Sequence, residues 1–334
     1  MARKTTMKDV AREAGVSVMT VSRAFRPNSS IGYQTRERIL SAAAGLGYVV
    51  DATASNLRAR RTDFVAAIVP SIDNANFADT VKGMTAETDV LGLQLLLGTT
   101  DYRIDREEAL IHDLLRHRPL AIVLTGGNHT PRARQLLEGA DIPVIESWDL
   151  PADPIGHVVG FSNAACMEFL VAHLAERGHR RIAFMGGDSS DDTRGADRRR
   201  GFVAAMRSRG LNAERLVAAG TPPISMREGA DAMVVLLERW PDTDAVICVS
   251  DVAAFGALAE CQRRGIGVPD DMALAGFGAH EIARICNPTI TTVDPGPVQI
   301  GTRIGNLIVQ IAEDNDLAPQ HIAVEPRLLI GGTT

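Results

Sequence analysis

The chain has 334 residues, of which 45 % are hydrophobic and 23 % are charged, close to the average of globular proteins. This composition excludes disordered, fibrous and membrane-spanning proteins, and no apolar run reaches the ~18–20 residues of a spanning helix. The first residues lack the apolar stretch of a signal peptide, so we expect a cytoplasmic protein. The four cysteines lie far apart without a Cys-x-x-Cys pair, which predicts reduced, mostly buried thiols rather than disulfides or a zinc site.

The charge is distributed unevenly along the chain. Residues 1–61 contain eleven Lys and Arg against four Asp and Glu, a net charge of +7, whereas the remainder carries −13. A small basic segment on an acidic body predicts that the segment binds a polyanion. Charge alone also allows a basic tail that only increases solubility.

Residues 7–47 have the pattern of three short helices. Thr6 is a candidate N-cap with Asp9 three positions later, and Gly15 ends the first helix. Ser17 is the candidate N-cap of the second helix. A polar loop and a third amphipathic helix follow, and the basic stretch at 51–61 has too few apolar residues to hold a helix on its own.

The segment DVAREAGVSVMTVSR, which starts at Asp9, combines a helix, a glycine turn and a second helix. Such a unit can place its second helix in the major groove of DNA. Six residues of this second helix lie away from its apolar face and are candidate DNA contacts: Ser17, Val18, Met19, Thr20, Ser22 and Arg23. Arg23 is the candidate for two-pronged binding of a guanine. The pattern also allows an ordinary helical hairpin with a solvated face.

From residue 64 onwards, short apolar runs alternate with helical segments. The predicted strands are Phe64–Pro70, Leu93–Gly98, Leu120–Thr125, Pro143–Ser147, His157–Phe161, Arg181–Gly186, Arg215–Ala219, Ala245–Val249, Met272–Gly276 and Ile290–Val293. Near-continuous apolar strands between helices indicate parallel sheets covered on both faces. About five strands on each side of residue 162 make two similar α/β units, whose ligands bind outside the carboxyl ends of the strands and between the lobes.

The motif DVAREAGVSVMTVSR and the later TRERILSAAAGLGYVVDATASNLR resemble the headpiece and hinge of the lactose-repressor (LacI/GalR) family of bacterial transcription regulators. The remainder resembles the family's core. The resemblance implies an α/β protein with a small all-α helix-turn-helix headpiece and a two-lobed, periplasmic-binding-protein-like core with parallel sheets. The implied domains are a headpiece at 1–50, a hinge at 51–62 and a core at 63–334, with an N-lobe of about 63–161 and 294–320 and a C-lobe of about 162–293 and 321–334.

The resemblance also implies further contacts with DNA. Two copies of the hinge form helices together on the operator, and Leu57 matches the leucine that enters the minor groove between base pairs. Without the resemblance, Leu57 would be one surface leucine. The other implied contacts are Thr6, Arg26, Thr35 and Ala54. Asp51 and Gly32 stand where the family commonly has Asn and Ser, so those two contacts are not carried over.

The branch of the family that regulates gluconate and related sugar acids gives the closest local matches, among them ECQRRGIGVPDDMALAGFGAHEI. The family's effector contacts fall on Phe77, Thr125, Glu146, Asp149, Arg198 and Asp251, and His280 lies near them. Ser250 stands where an Asn is usual, and Gly278 stands where neutral-sugar members often carry an acid.

The loss of that acid beside Arg198 and His280 predicts an anionic effector such as gluconate, because a carboxylate needs charge-assisted donors. Three alternatives stay open: a neutral-sugar effector, a solvated helix face for Arg198 to Arg200, and a purely structural His280.

The chain contains no P-loop, H-E-x-x-H or G-x-S-x-G motif, so we predict no enzyme activity, catalytic residue, metal ligand or cofactor. The rival classes are a sugar-processing α/β enzyme, disfavoured by the missing motifs, and an extracytoplasmic sugar-binding protein, disfavoured by the basic segment. The predicted partners are palindromic double-stranded operator DNA, a small sugar or sugar acid and a second copy of the chain, with no membrane. The chain ends without leucine heptads, which favours a homodimer over a tetramer.

Overall fold

The structure is a computed structural model that describes residues 5–25, 31–49, 63–187, 193–314 and 316–334. The chain divides between residues 62 and 63 into two compact units, a small N-terminal one and a large C-terminal one. The predicted hinge at 51–62 lies outside the described residues. Within the described ranges, no helix is long and apolar enough to cross a membrane.

The N-terminal unit consists of the helices α1 (Met7–Glu13), α2 (Val18–Ala24) and α3 (Tyr33–Gly45). Val10, Val21 and Ile39 contribute one side chain from each helix and are fully buried. Alanines fill the remaining space between the helices. The apolar positions predicted from helical periodicity therefore meet in one small core, which leaves the opposite face of α2 to solvent.

The caps and the turn between α1 and α2 are as predicted. The backbone N–H and the hydroxyl of Thr6 both donate to Asp9 Oδ2, at 3.0 and 2.6 Å. Gly15 has φ +63°, a conformation that favours glycine, and the N–H of Val16 donates to the carbonyl of Ala11 at 3.0 Å. Ser17 Oγ accepts the N–H of Thr20 at 3.1 Å and so fixes the start of α2.

The C-terminal unit alternates strands and helices. Its first half contains β1 (Phe64–Val69), α4 (Ala75–Thr88), a 3-10 turn (Asp89–Leu91), β2 (Gln94–Thr99), α5 (Ile104–Leu115), β3 (Ile122–Thr125), α6 (Pro131–Glu138), β4 (Val144–Ser147) and β5 (His157–Gly160). Its second half contains α7 (Asn163–Glu176), β6 (Ile182–Gly186), α8 (Thr193–Ser208), β7 (Leu216–Ala218), α9 (Met226–Arg239), β8 (Ala245–Cys248), α10 (Asp251–Arg264), β9 (Ala273–Phe277), α11 (Glu281–Ile285), β10 (Thr291–Asp294), α12 (Pro297–Glu313), β11 (His321–Ala323) and β12 (Arg327–Leu329).

These strands form two six-stranded sheets, in the orders β11-β5-β4-β3-β1-β2 and β12-β10-β9-β8-β6-β7. All neighbouring strands run parallel except β10 and β12. The first sheet belongs to the N-lobe and the second to the C-lobe. Each predicted strand is present, so the prediction of two parallel α/β lobes is confirmed.

The last crossing between the lobes lies a few residues after the predicted boundary at about residues 320 and 321. Strand β11 pairs with β5, with His321 opposite Val158, so the chain stays in the N-lobe until Ala323. It then enters the C-lobe, where β12 pairs with β10. Both strands have only three residues, whose side chains alternate between exposed and half-buried, so each gives only a very short apolar segment in the sequence.

Helix α12 returns the chain to the N-lobe and packs closely against α4. A Cβ atom at Gly301 would lie 2.1 Å from the carbonyl oxygen of Thr80, so only glycine allows this approach. Cys166, Cys248 and Cys261 are buried, Cys286 is half-buried, and all four thiols are free. The prediction that the thiols are mostly buried is therefore confirmed.

The face of the N-lobe sheet beneath α5 and α6 contains a buried ionic cluster of His129, Glu107 and Glu146. His129 Nδ1 lies 2.6 Å from Glu107 Oε1, and His129 Nε2 lies 3.5 Å from Glu146 Oε1. The other oxygen of Glu146 accepts the N–H of Ile155 at 2.7 Å. The side chains of His129 and Glu146 are at most 1 % exposed. Burial alone would lower the pKa of His129, but the two carboxylates outweigh it and raise this pKa to about 9.

This cluster predicts that the C-terminal unit loses stability between about pH 6.5 and pH 9. A histidine whose pKa is higher in the folded than in the unfolded chain stabilises the fold fully below its unfolded pKa, and the contribution disappears as the pH rises through the folded pKa. We expect the free energy of unfolding, measured in urea, to fall over this pH range in the wild type. The fall should be up to roughly 3 kcal/mol larger than in His129→Gln, which lacks the titrating group. The matched control is His112→Gln, an exposed histidine on α5, which should follow the wild type. If the difference in the free energy of unfolding between the wild type and His129→Gln does not change with pH, the assignment of the raised pKa to His129 is wrong.

Candidate functional site

The outward face of α2 carries the residues predicted to contact DNA. Met19 is 66 % exposed and Val18 is 40 % exposed, and Arg23 is exposed as well. Ser17, the exposed N-cap, and the half-buried Thr20 join their hydroxyls at 2.8 Å, and Ser22 is half-buried. Because Val21 and Ala24 hold the other face in the core, α2 presents an apolar tip and a guanidinium together to solvent.

The remaining predicted contacts of this unit are only partly described. Thr6 is exposed, and its hydroxyl donates to Asp9. Thr35 is half-buried in the first turn of α3, where its N–H donates to the carbonyl of Gly32. Arg26, Ala54 and Leu57 lie outside the described residues.

A second site lies between the two lobes of the C-terminal unit, in a cavity of about 330 Å³. Its walls come from segments that follow the carboxyl ends of strands of both sheets, where open parallel sheets bind their ligands. The N-lobe wall consists of Asp73 to Phe77 after β1, Tyr102 after β2 and Trp148 after β4. The C-lobe wall consists of Arg194 and Arg198 on α8, Pro222 to Ser225 after β7, Val249 and Ser250 after β8, Val252 on α10, Phe277 at the end of β9 and His280 after it.

Arg198 is held in a fixed orientation at the C-lobe side of this cavity. Its Nε–H donates to Asn163 Oδ1 at 3.0 Å, and an Nη1–H donates to the carbonyl of Val249 at 2.9 Å. The guanidinium lies 3.7 Å above the ring centre of Phe277. Asn163 is fully buried and in turn donates to the carbonyl of Trp148, so the N-lobe also positions Arg198.

His280 spans the two lobes at another part of the cavity. Its backbone N–H donates to Asp251 Oδ2 at 2.8 Å, and its Nε2 lies 3.4 Å from Asn74 Oδ1 of the N-lobe. Asp251 is fully buried behind the wall, and among the described residues its Oδ1 has no hydrogen-bond partner. Gly278 has φ +122°, and a Cβ atom there would lie 2.4 Å from the imidazole of His280. The imidazole therefore occupies the place where a side chain at position 278 would begin.

Three of the seven predicted effector residues line the cavity: Phe77, Arg198 and His280. Asp251 supports His280 from behind. Thr125 lies at the end of β3, where its hydroxyl donates to the carbonyl of Ile68 and its own carbonyl accepts from Arg194 at 3.1 Å.

The structure does not place Glu146 or Asp149 in the cavity wall. Side chains alternate along a strand, so Glu146 shares the α5 and α6 face with Val144 and belongs to the ionic cluster with His129. Asp149 is half-buried and accepts the N–H of Leu150. Burial, together with the nearby carboxylate of Asp197, raises the pKa of Asp149.

The sequence analysis missed Trp148 and Arg194. Trp148 is buried with φ +66°, donates its indole N–H to Thr80 at 3.2 Å and makes an edge contact with Phe77. Tyr102, another lining residue, and Ala279, next to His280, also have positive φ. Strained backbone of this kind is typical of binding sites. For Arg194 there was a signal, because it precedes Arg198 by four residues and shares its helix face.

Two family models match the chain. The model of the bacterial regulatory proteins of the lacI family matches residues 6–51, and the model of the periplasmic binding protein-like domain matches residues 171–334. The HTH-type transcriptional regulator GntR of Pseudomonas aeruginosa is 33 % identical over 92 % of this chain and 89 % of its own length. The HTH-type transcriptional regulator IdnR of Escherichia coli is 30 % identical over 94 % of this chain and 93 % of its own.

Solved structures give the same result. A lacI family transcriptional regulator from Silicibacter pomeroyi is 32 % identical and superposes with a TM-score of 0.92 over 98 % of this chain and 99 % of that one. The lac repressor dimer bound to operator, at 21 % identity and a TM-score of 0.83 over 99 % of both chains, shares the fold. The chain belongs to the lacI family of bacterial regulatory proteins and is a DNA-binding transcriptional regulator that acts through operator DNA.

Proposed function

We propose that this regulator binds a small anionic sugar, a sugar acid of the gluconate type, in the cavity between its lobes. Ligand binding then either lowers or raises the affinity of the protein for the operator. The observation that carries the proposal is the fixed guanidinium of Arg198 in the cavity wall. The proposal also places the protein in the cytoplasm, without enzyme activity.

Arg198 suits a carboxylate because its planar guanidinium is oriented before any ligand binds. Contacts with Asn163, Val249 and Phe277 hold its position. A guanidinium fixed in this way loses little conformational entropy when it pairs with a planar anion, and such charge-assisted pairs are stronger than neutral hydrogen bonds.

The opposite part of the C-lobe wall supports the same choice. A carboxylate at position 278 would weaken the binding of an anion, but the imidazole of His280 and the backbone conformation exclude a side chain there. Asp73 is the one carboxylate among the described residues that line the cavity, against two guanidiniums. The charge of the wall therefore favours an anionic ligand.

A neutral hexose is the second candidate. The N-lobe wall offers the amides of Asn74 and Asn76 and the phenol of Tyr102, which suit sugar hydroxyls. In our proposal these groups bind the hydroxylated chain of the sugar acid. A neutral ligand would form no ion pair with Arg198, whereas a carboxylate can form a charge-assisted, two-pronged one.

The proposed coupling acts through the angle between the lobes. The three chain crossings between the sheets allow the lobes to rotate, and a ligand that contacts both walls selects one angle. Ordering of the hinge at 51–62, with Ala54 and Leu57 in the minor groove, stays a prediction. The coupling is reciprocal: if the ligand changes the affinity for the operator by a certain factor, the operator changes the affinity for the ligand by the same factor.

The effector assignment predicts a specific loss in Arg198→Gln. We expect gluconate affinity, measured by titration calorimetry, to fall by about 2 kcal/mol or more, the scale of a charge-assisted hydrogen bond. Operator binding without ligand should persist. Arg200→Gln is the matched control, because Arg200 is exposed on the same helix and pairs with Asp197. If the wild type binds a neutral hexose and does not bind gluconate, the proposal of a sugar acid is wrong and the neutral hexose takes its place.

In the headpiece we propose that the exposed residues of α2, together with Thr6, Arg26 and Thr35, contact the operator, and that Arg23 binds a guanine. Arg23→Ala should then weaken operator binding by ~1–3 kcal/mol and relax the base preference at one position. The measurement compares operator and random duplexes at one salt concentration. An equal loss on both duplexes would make Arg23 a phosphate contact instead.

We further propose that the chain forms a homodimer through the free edge of the N-lobe sheet. Strand β2 is an edge strand. Its residues Leu96 and Leu97 are 46 % and 41 % exposed, and Val90 in the preceding 3-10 turn is 81 % exposed. An exposed apolar edge is a liability in a monomer, whereas a two-fold partner covers it and supplies the second headpiece for a palindrome.

Light scattering at micromolar concentration should therefore return twice the chain mass for the wild type and a single chain mass for Leu96→Glu. The variant should also bind the operator more weakly, because its headpieces are no longer linked. Val235→Glu is the control, since Val235 is 49 % exposed on α9 of the other lobe. A dimeric Leu96→Glu protein would exclude this edge as the interface.

A further inference from the structure

Two guanidiniums reach the inter-lobe cavity from one face of α8. Arg194 and Arg198 both line the cavity, and they are separated by one helical turn, roughly 6 Å along the helix axis. Like charges at this spacing on a helix repel each other. A single carboxylate needs only one of them, so the second guanidinium requires its own explanation.

The two side chains have different contacts. Arg198 is fixed against the C-lobe residues Val249 and Phe277. Arg194 instead extends to the N-lobe, where an Nη1–H donates to the carbonyl of Thr125 at 3.1 Å and the guanidinium lies 5.6 Å from the ring centre of Phe77. Each guanidinium therefore faces its own part of the cavity.

The surroundings of Arg194 provide space, and the half-buried carboxylate of Asp149 acts on its charge without a direct contact. Arg194 is 8 % exposed. A Cβ atom at Gly126 would lie only 3.2 Å from Arg194 Nη1, so the missing side chain at position 126 leaves room for the guanidinium. Within the described part of the chain, no carboxylate oxygen lies within 4 Å of the Arg194 nitrogens. A buried guanidinium paired with a neutral carbonyl and an aromatic ring favours an anion as its further partner.

We propose that the ligand carries a second anionic group, a carboxylate or a phosphate, at the end of its chain remote from the carboxylate bound by Arg198, and that Arg194 binds this group. The inference rests on the proposed function, the sensing of a sugar acid in this cavity. The cavity volume of about 330 Å³ is at the small end of ligand pockets and suits a six-carbon chain with a charged group at each end.

The test is a calorimetric comparison of three ligands on the full-length protein. Gluconate carries one carboxylate, glucarate carries a carboxylate at each end, and 6-phosphogluconate carries a carboxylate and a phosphate. We expect the wild type to bind glucarate or 6-phosphogluconate at least about tenfold more tightly than gluconate, the scale of one charge-assisted interaction. Which of the two binds more tightly identifies the second group as a carboxylate or a phosphate.

Arg194→Gln should remove most of this preference, and Arg194→Lys, which keeps the charge but not the planar guanidinium, should retain part of it. The control Arg199→Gln removes a charge from the same helix without touching the cavity and should leave the preference unchanged. Thermal melts confirm that each variant is folded.

Equal affinity for gluconate and both doubly charged ligands, or an unchanged preference in a folded Arg194→Gln, overturns the inference and leaves the proposed function standing. If none of the three ligands binds while the operator is still bound, the proposed function itself fails.

Discussion

The parallel arrangement of the two sheets is the constraint on which the functional site depends. In a parallel sheet all strands end at the same edge, so the segments that follow them meet there regardless of their distance along the chain. In this protein the carboxyl-terminal edges of both sheets contribute to one cavity. Residues as far apart as Phe77 and His280 therefore line the same cavity.

Aromatic contacts and hydrogen bonds join the two halves of this wall. Phe77, Trp148, Phe161 and Phe277 form a continuous series with ring centres 5.2 to 6.1 Å apart, which runs from the N-lobe to the C-lobe. Asn163 connects the Trp148 carbonyl to Arg198. A ligand that moves either end of this series therefore acts on both lobes, which is the requirement for converting binding into a change of lobe angle.

The distribution of charge separates two roles within the N-lobe. The ionic cluster of His129, Glu107 and Glu146 is enclosed on the helix-covered face of the sheet and stabilises the loop between β3 and α6. The cavity at the carboxyl ends of the strands is lined by the two guanidiniums of α8. Glu146 is paired with His129 and lies outside the cavity wall, so the two clusters of charge stay separate.

The sequence by itself determined the elements and the class of the protein. Apolar periodicity located α1 to α3 and strands β1 to β10, and the cap and turn residues from Thr6 to Ser17 were identified because their interactions are local. Arg198 was assigned to the cavity by its match to the effector contacts of the family, not by a local pattern. The strands β11 and β12 escaped detection because three partly exposed residues give no periodic signal.

Only the tertiary structure decided which polar residues share a site. Glu146 and Trp148 are two residues apart, but Glu146 belongs to a buried cluster and Trp148 to the cavity, because the strand ends between them and Trp148 adopts positive φ. Arg194 lies in the cavity because the N-lobe supplies the Thr125 carbonyl and the space beside Gly126. Gly278 is constrained by the imidazole of His280. These are contacts between segments distant in sequence, and a single sequence has no local pattern that encodes them.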